Sequence, residues 1–415
     1  MFKGGKMNNT NWFTEQKSKA AALVSTLKKP SFAKVNYTGW PLELNTGVKN
    51  SSETEIPEEF DNDEVNILQV GQNTRKVKVP QSLIDQGVIV CDWTEALARH
   101  ADLLIKYFGK AVPVNENKFT AEHVAKMKNG ILIYIPKNVE VKDPVSVTYL
   151  QDATQKQDFI EHVLLIADEN SSVSYMESVA TIGNLKTTAS IVVEVCALAG
   201  SRIRYAGIDR LGQNTTAYIK RVARIGRDAK VDWALGMLSD GNLLGDFDSD
   251  LIGDGSQAEM NVIAITIGNQ TQGLNTVVNN YGRKSVGRIL QHGVILQKSS
   301  LIFNGIGHVM KNAKGADAQQ ENRVLMLSRY ARGDANPILL IDDNDVFAGH
   351  AASVGRVDEQ QLYYLMSRGL PKKMAERLVI RGFLGPVLTK VPSEKVRCQL
   401  FNMVERKLID GQDME

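Results

Sequence analysis

The middle of the chain alternates apolar and polar residues with a period of two. The apolar members of this alternation are Ile131, Ile133, Ile135, Val139, Val141, Val145, Val147 and Tyr149. Such alternation predicts β-strands that bury one face. Proline is absent between Pro144 and Pro337, where about nine would be expected at a usual frequency near 5%. Because proline removes a ladder N–H, its absence favours a long, continuously hydrogen-bonded sheet.

A loose repeat runs through the same region. Segments that place a small or polar corner before a short alternating strand begin about 27–29 residues apart, at Ser171, Gly200, Asp228, Gly255 and Lys284. A repeat of this length is typical of a solenoid whose stacked turns bury a shared core. A β-sandwich could produce similar strands, but its loops usually contain prolines. We therefore predict a mainly β fold with a β-helix-like solenoid core over residues 129–355.

The N-terminal region, residues 1–128, is predicted to be mainly helical. Asn11 is placed to cap a first helix. A second amphipathic stretch, from Trp93 to Phe108, is expected to pack on that helix.

Residues 356–415 are predicted to form a C-terminal helical domain. Asp358 can cap a helix that Gly369 ends, and Pro371 suits the first turn of a second helix that Gly382 is predicted to end. The chain is therefore divided into helical, solenoid and helical parts.

Charge and composition exclude several classes of protein. Lys and Arg total 49 against 47 for Asp and Glu, so the net charge of +2 gives no field that would demand nucleic acid or a membrane. The longest apolar runs are about five residues, far short of the roughly 18 that a spanning helix needs. The first residues, MFKGGKMNNTNWF, lack the apolar core of a secretory signal. These features favour a cytoplasmic protein.

The cysteines point to the same compartment. Cys91, Cys196 and Cys398 lie far apart and without CxxC spacing. Their odd number and spacing exclude a disulfide framework and a self-contained cysteine metal site, and we predict that they are structural thiols.

Familiar catalytic motifs are missing from the sequence. GxxxxGK[ST], GxGxxG and HExxH do not occur. The run DFDSDLIGDG approaches a calcium loop, but Leu251 and Gln257 stand where Gly and Glu are required, so a polar solenoid loop is predicted. Ser353 in GHAASVG lacks the context of a nucleophile elbow, and residues 342–345 are predicted to form a turn. The sequence pattern alone therefore identifies no set of catalytic residues.

A long series of ordered motifs lies between Phe303 and Leu384. It contains, in order, FNGIG, ADAQQ, PILLIDDNDV, HAASVG, LYYLMSRG and RGFL. This stretch closely resembles the C-terminal half of the SufB/SufD family of the SUF iron–sulfur cluster assembly system. Within the family the chain resembles the SufD-type branch, because His350 is present and no cysteine stands near Asn322, where SufB-type members carry one.

The resemblance implies an architecture and partners. It implies a helical N-terminal region, a right-handed β-helix core and a C-terminal helical domain. It also implies a cytoplasmic complex with a SufB-type paralogue and two copies of SufC, an ATP-binding-cassette ATPase. The open end of the solenoid would pair with the SufB-type subunit. The chain itself would be a non-catalytic assembly subunit, with ATP hydrolysis carried out by SufC.

The resemblance also implies site residues. His350 is the candidate ligand for iron or a nascent cluster beside a SufB cysteine, and imidazole with thiolate is a reasonable pair for Fe²⁺. The alternative is that His350 only hydrogen-bonds across the interface. No tightly bound cofactor is expected in the isolated chain, only transient iron or cluster. The residues expected to contact SufC are Leu362, Tyr363, Leu365, Arg368, Gly369, Arg381, Gly382 and Phe383.

Three other hypotheses remain open at this point. The first is a SufB-type subunit, which would need a cysteine near Asn322. The second is a β-helix enzyme acting on carbohydrate, against which the missing signal peptide and the thinly spread acids count. The third is a self-associating homodimer of the chain in isolation.

Overall fold

The alternating middle of the chain forms a β-solenoid. A computed structural model describes residues 9–45, 54–60, 66–391 and 394–413. Within these ranges the strands are β1 (Ile67–Val70), β2 (Asn73–Val77), β3 (Ile89–Asp92), β4 (Ile131–Ile135), β5 (Val145–Ala153), β6 (Phe159–Ala167), β7 (Ser172–Gly183), β8 (Thr187–Ala197), β9 (Arg202–Arg210), β10 (Thr215–Ile225), β11 (Lys230–Met237), β12 (Leu243–Leu251), β13 (Gln257–Thr266), β14 (Thr271–Asn280), β15 (Val286–Ile295), β16 (Ser300–Val309), β17 (Asp317–Met326), β18 (Arg332–Ile341) and β19 (Phe347–Arg356). The helices are α1 (Asn9–Leu23), α2 (Gln81–Ile84), α3 (Trp93–Arg99), α4 (Ala101–Tyr107), α5 (Lys118–Lys126), α6 (Glu359–Ser367), α7 (Lys372–Leu388) and α8 (Glu394–Asp413).

Two parallel sheets make up the solenoid. The odd-numbered strands from β5 to β19 stack in one sheet, sheet A, and the even-numbered strands from β4 to β18 stack in the other, sheet B. Consecutive strands alternate between the sheets, so the chain winds through about eight turns. The apolar side chains that point inward from both sheets form one continuous core. The predicted mainly β fold with a solenoid is confirmed.

The predicted repeat corresponds to the turns of the solenoid. Its five segments lead into β7, β9, β11, β13 and β15, which are successive neighbours in sheet A. The corner before each strand has a left-handed residue, with φ between 54° and 71°, at Asn170, Gly200, Asp228, Gly255 and Lys284. Glycine and asparagine adopt this conformation most easily, which explains the small and polar corners in the sequence.

The N-terminal region closes the first turn and covers sheet B. β1 pairs with β5 in sheet A, and β3 pairs with β4 in sheet B. The stretch from Trp93 to Phe108 forms two short helices, α3 and α4, whose aromatic residues pack on Phe13 of α1, as predicted. The predicted cap at Asn11 is wrong, because α1 begins at Asn9. The run NNTN contains four residues of capping type, so capping preference alone does not fix the start.

The C-terminal helices cover the outer face of sheet A. Asp358 caps α6 by accepting a hydrogen bond from the backbone N–H of Gln360 at 2.8 Å, and Gly369 follows the helix with φ +90°, both as predicted. Apolar residues of α7 and α8 pack on outward-facing residues of sheet A such as Ile263 and Ile265. The helical domain therefore rests directly on the solenoid.

The predicted end of the second C-terminal helix at Gly382 is wrong. Helix α7 continues through Gly382 to Leu388. A glycine inside a helix costs about 1 kcal/mol, whereas burying one leucine side chain contributes about 1.5–3 kcal/mol. Leu384 and Leu388 are both buried beyond this glycine, so tertiary packing outweighs the local preference.

The run DFDSDLIGDG is also placed differently from its prediction. Its first six residues, Asp246 to Leu251, lie in strand β12 and not in a loop. Phe247 and Leu251 point into the core. The acidic residues between them hide this alternation in the sequence. In the structure each of these residues faces outward and has a polar partner on the outer face of the sheet.

Candidate functional site

The solenoid ends in two strands with free edges. β18 pairs with β16, and β19 pairs with β17, and neither has a partner on its other side in the part of the chain that the structure describes. Pro337 lies in β18, where an edge strand tolerates the missing N–H. An exposed edge is a template for pairing with another chain.

Large apolar side chains are exposed around this open end. Phe347 at the start of β19 is 72% exposed. The other exposed apolar residues of the two edge strands are Ile338, Leu340, Ile341 and Val354. Clustered apolar exposure of this kind marks a surface that interacts with another molecule.

His350 lies on β19 at the open end. It is directly in register with Gln320 of β17, and neighbouring residues in register point to the same face of a sheet. Because Gln320 is buried inside the solenoid, His350 faces the interior side of the open end, yet it is exposed to solvent. Its imidazole is accessible to a partner or a ligand.

The interior beneath His350 changes character along the solenoid. The in-register residues below Gln320 are Ile289, Met260, Trp233, Tyr205 and Tyr175. The aromatic members pack closely, with ring centroids of Tyr205 and Trp233 4.5 Å apart. Gln320, the member of this column nearest the open end, is its one amide, so the open end is the polar end of this column.

Sequence reasoning assigns no role in a site to two buried amides near the open end. Gln320 and Asn322 share the inward parity of Ala318 and Val324 on β17. The alternation within ADAQQENRV was the signal that could have identified them, because it places two amides on the face that carries core residues.

The other histidines lie apart from His350. His292 hydrogen-bonds the carbonyl oxygen of Phe383 at 2.7 Å and lies 3.1 Å from a carboxylate oxygen of Glu321. His308 lies 3.0 Å from Asp342 on the outer face of sheet B. No second histidine joins His350 within the described residues.

A buried pair of histidines joins the N-terminal helices to sheet B. His123 of α5 lies 3.2 Å from His162 of β6, whose other ring nitrogen is 3.3 Å from Glu194. Burial, and then the neighbouring His162, lowers the pKa of His123 well below its usual value, so its imidazole is neutral. Glu194 also accepts backbone hydrogen bonds from the loop after α4, for example from Ala111 at 2.9 Å. This cluster attaches the two parts of the fold and is closed to ligands.

One group of carboxylates has the spacing of a metal site. Glu116, Asp246 and Asp248 have oxygens within 4.8 Å of one another, and no other such group occurs among the described residues. Lys220 lies between them, at 2.6, 3.0 and 2.8 Å respectively. Burial opposes its charge, but Asp248 and Asp246 outweigh burial and hold the pKa of Lys220 well above its usual value. The ammonium group therefore occupies the position that a cation would take.

The cysteines lie far from the open end in the fold. Cys91 and Cys196 are buried, and burial raises the pKa of each thiol to about 12. Cys398 is exposed on α8. Two of the three thiols are therefore unreactive, because the thiolate is the reactive form.

The residues expected to contact the ATPase are divided between two surfaces. Tyr363 is 75% exposed on α6, and Arg368, Gly369 and Gly382 are also exposed. Phe383, in contrast, stacks on His292 of the solenoid with ring centroids 4.8 Å apart. The remaining members of the set are Leu362 and Leu365, which are half-buried, and Arg381, which stacks over Phe401 of α8.

Tyr363 lies within a larger exposed patch. The exposed apolar residues of α6 and α7 are Tyr363, Tyr364, Met366, Met374 and Leu378. We call these five residues the α6–α7 patch.

No helix in the described ranges is long and apolar enough to cross a membrane.

Comparison with known proteins places these features in one family. Residues 149–383 match the family described as "SUF system FeS cluster assembly, SufBD core domain", and residues 57–147 match "SufBD protein N-terminal region". The chain is 45% identical over 344 residues to the iron–sulfur cluster assembly protein SufD of Bacillus subtilis, covering 82% of this chain and 78% of that protein. It is 28% identical over 315 residues to an iron–sulfur cluster assembly SufBD family protein of Staphylococcus epidermidis, covering 76% and 68% respectively.

Proposed function

The chain belongs to the SufBD family of iron–sulfur cluster assembly proteins, and from that premise we propose that it is the SufD-type, non-catalytic subunit of an assembly complex. It pairs through its open end with a SufB-like paralogue and binds a SufC-like ATPase through its C-terminal helices. ATP hydrolysis belongs to the ATPase. We place the complex in the cytoplasm, which the unpaired thiols of the chain support.

The observation that carries this proposal is the open end. The free edges of β18 and β19, the exposed Phe347 and the accessible His350 all lie there. A second solenoid with a similar edge could continue both sheets, adding main-chain hydrogen bonds and burying the apolar rim. The same geometry would also accept a second copy of this chain, which is the homodimer alternative.

His350 would then lie inside the interface between the two subunits. A neutral imidazole is a ligand for iron, and a thiolate supplied by the paralogue would complete a mixed pair. Iron or a nascent cluster is the cargo of this site, held transiently. The nearest thiols of this chain are buried or lie on α8, so sulfur ligands must come from the partner.

Co-purification tests this role of His350. We expect the His350→Ala chain, expressed with its SufB-like and SufC-like partners under anaerobic conditions, to assemble normally and to carry little iron or sulfide. His308→Ala is the matched control, because His308 lies on the outer face of sheet B and pairs with Asp342. Complex mass, iron, sulfide and visible absorption are measured. Normal iron and cluster in the His350→Ala complex would assign the metal chemistry to the partner alone.

The α6–α7 patch carries the second part of the proposal. We expect Tyr363→Asp to weaken binding of the ATPase at least about tenfold, because a charge would be buried where an aromatic anchor packs. Tyr281→Asp is the control, since Tyr281 is also exposed but lies at a solenoid corner. Affinity is measured by calorimetry with the purified ATPase. Unchanged affinity for Tyr363→Asp would place the ATPase on another surface.

A further inference from the structure

Two buried amides beneath the open end have unpaired polar atoms. Within the described residues, Gln320 Oε1, Asn322 Oδ1 and Asn322 Nδ2 have no hydrogen-bond partner. Gln320 Nε2 donates to the carbonyl oxygen of Ile338 at 2.8 Å, which fixes the amide and leaves its oxygen as a free acceptor. Each buried unpaired group costs about 1–3 kcal/mol, and buried polar groups in native proteins normally have partners. These atoms are therefore available to a ligand.

The amides lie directly below the exposed histidine. Gln320 is in register with His350, and Asn322 is in register with Ala352, so both lie one strand inside the free edge. From the opposite sheet, Gly305 faces them. A Cβ at position 305 would lie 2.5 Å from Gln320 Oε1 and 2.6 Å from Asn322 Nδ2. Glycine at 305 therefore leaves the space that the two buried amide groups occupy.

The unpaired atoms select the class of ligand. Two of the three unpaired atoms, Gln320 Oε1 and Asn322 Oδ1, are oxygens. Oxygen acceptors bind cations or hydrogen-bond donors and disfavour anions such as phosphate or sulfide. Amide oxygens with an imidazole nitrogen suit divalent first-row metal ions, and the absence of a thiolate from this set disfavours soft metals such as Cu(I).

We propose that His350, Gln320 and Asn322 form one nitrogen–oxygen site for a divalent first-row metal ion at the open end, with the two amide oxygens as ligands beside the imidazole. This inference rests on the proposed function, in which the ion is Fe²⁺ awaiting assembly. All three groups are neutral when they bind, so the site releases its ion readily. A carrier that transfers iron onward needs that property.

Titration of the full-length chain with Co²⁺ under anaerobic conditions tests the site. We expect one Co²⁺ per chain, with weak visible bands typical of nitrogen and oxygen ligands. We expect Gln320→Leu, Asn322→Leu and His350→Ala each to weaken binding by tenfold or more. Gln291→Leu is the matched control, because this buried amide donates to Thr276 and lies one turn below Asn322. It should bind Co²⁺ as the wild type does.

A second variant separates ligation from a structural role. Asn322→Asp retains an oxygen at the same position and adds a charge, so we expect it to bind Co²⁺ more tightly than the wild type. Loss of binding in Asn322→Asp, or equal weakening by Gln291→Leu, would show that the amides act through the fold and would overturn the proposal.

The outcomes also separate this inference from the proposed function. If Gln320→Leu and Asn322→Leu bind Co²⁺ as the wild type does while His350→Ala does not, the amides are not ligands and the role of His350 in the complex stands. If all three variants bind as the wild type does and the His350→Ala complex also retains its iron, both proposals fail.

Discussion

Replacing Arg221 by methionine is expected to lower the free energy of unfolding by about 3–5 kcal/mol, the cost of removing one partner from a buried ion pair. Arg221 is fully buried inside the solenoid, where it crosses from sheet B to two carboxylates of sheet A. It binds Asp209 through two nitrogens, at 2.9 and 2.8 Å, and Glu177 at 2.6 Å. Without the guanidinium group, two fully buried carboxylates would remain without a cation.

Denaturant unfolding followed by tryptophan fluorescence measures this effect, because Trp233 is fully buried in the same interior. Arg227→Met is the control. The Arg227 side chain is 73% exposed, and its Nε lies 3.7 Å from Asp228 Oδ2. A surface ion pair of this kind contributes about 0–1 kcal/mol to the free energy of unfolding. Equal losses in the two variants would contradict the argument that burial of the Arg221 cluster makes it indispensable.

The arrangement of the solenoid could be predicted from the sequence to a large extent. Alternation gave the strands, and the corner residues at positions such as Gly200 and Gly255 mark successive turns of one sheet. Both signals are local, because each depends on one strand and the corner before it. Pairing between turns follows from the repeat, since equivalent residues of consecutive turns fall in register.

Features that depend on contacts between distant elements could not be predicted in this way. Strand β12 looked like a loop because Asp246 and Asp248 are charged, yet Lys220 of the neighbouring strand β10 neutralises them from 2.8–3.0 Å away. Helix α7 passes Gly382 because sheet A buries the leucines beyond it. In both cases the deciding interaction lies far away in the chain.

The candidate site was only partly accessible to sequence reasoning. His350 stood out through the resemblance to a family and not through any pattern of its own. Gln320 and Asn322 lie in the same strand as ordinary core positions, and their unpaired atoms become visible only when the facing strand, with Gly305, is in place. The same limit applies to the α6–α7 patch, because helical periodicity does not show which apolar face packs on sheet A.

The turns of the solenoid approach one another closely at the corner that follows sheet B. Gly226, Gly253 and Gly282 follow β10, β12 and β14 at this corner. A Cβ at Gly253 would lie closer than 3.0 Å to backbone atoms of Arg227 and Gly226, a separation that Cβ atoms essentially never show. Because the obstructing atoms are backbone, they cannot rotate away as a side chain would.

Gly253→Ala is therefore expected to destabilise the chain by about 3 kcal/mol or more, at or beyond the upper end of the usual cost of overpacking. Gly355→Ala and Gly382→Ala are the controls, since a Cβ at either position meets nothing within 4 Å. Alanine restricts the unfolded chain and favours helix α7, so each control should gain about 0.4–1 kcal/mol. Thermal and denaturant unfolding of the three variants compare the same chemical change in different surroundings. A Gly253→Ala chain as stable as the controls would mean that the corners can separate without cost, and that stacking of the sheets alone sets the spacing of the turns.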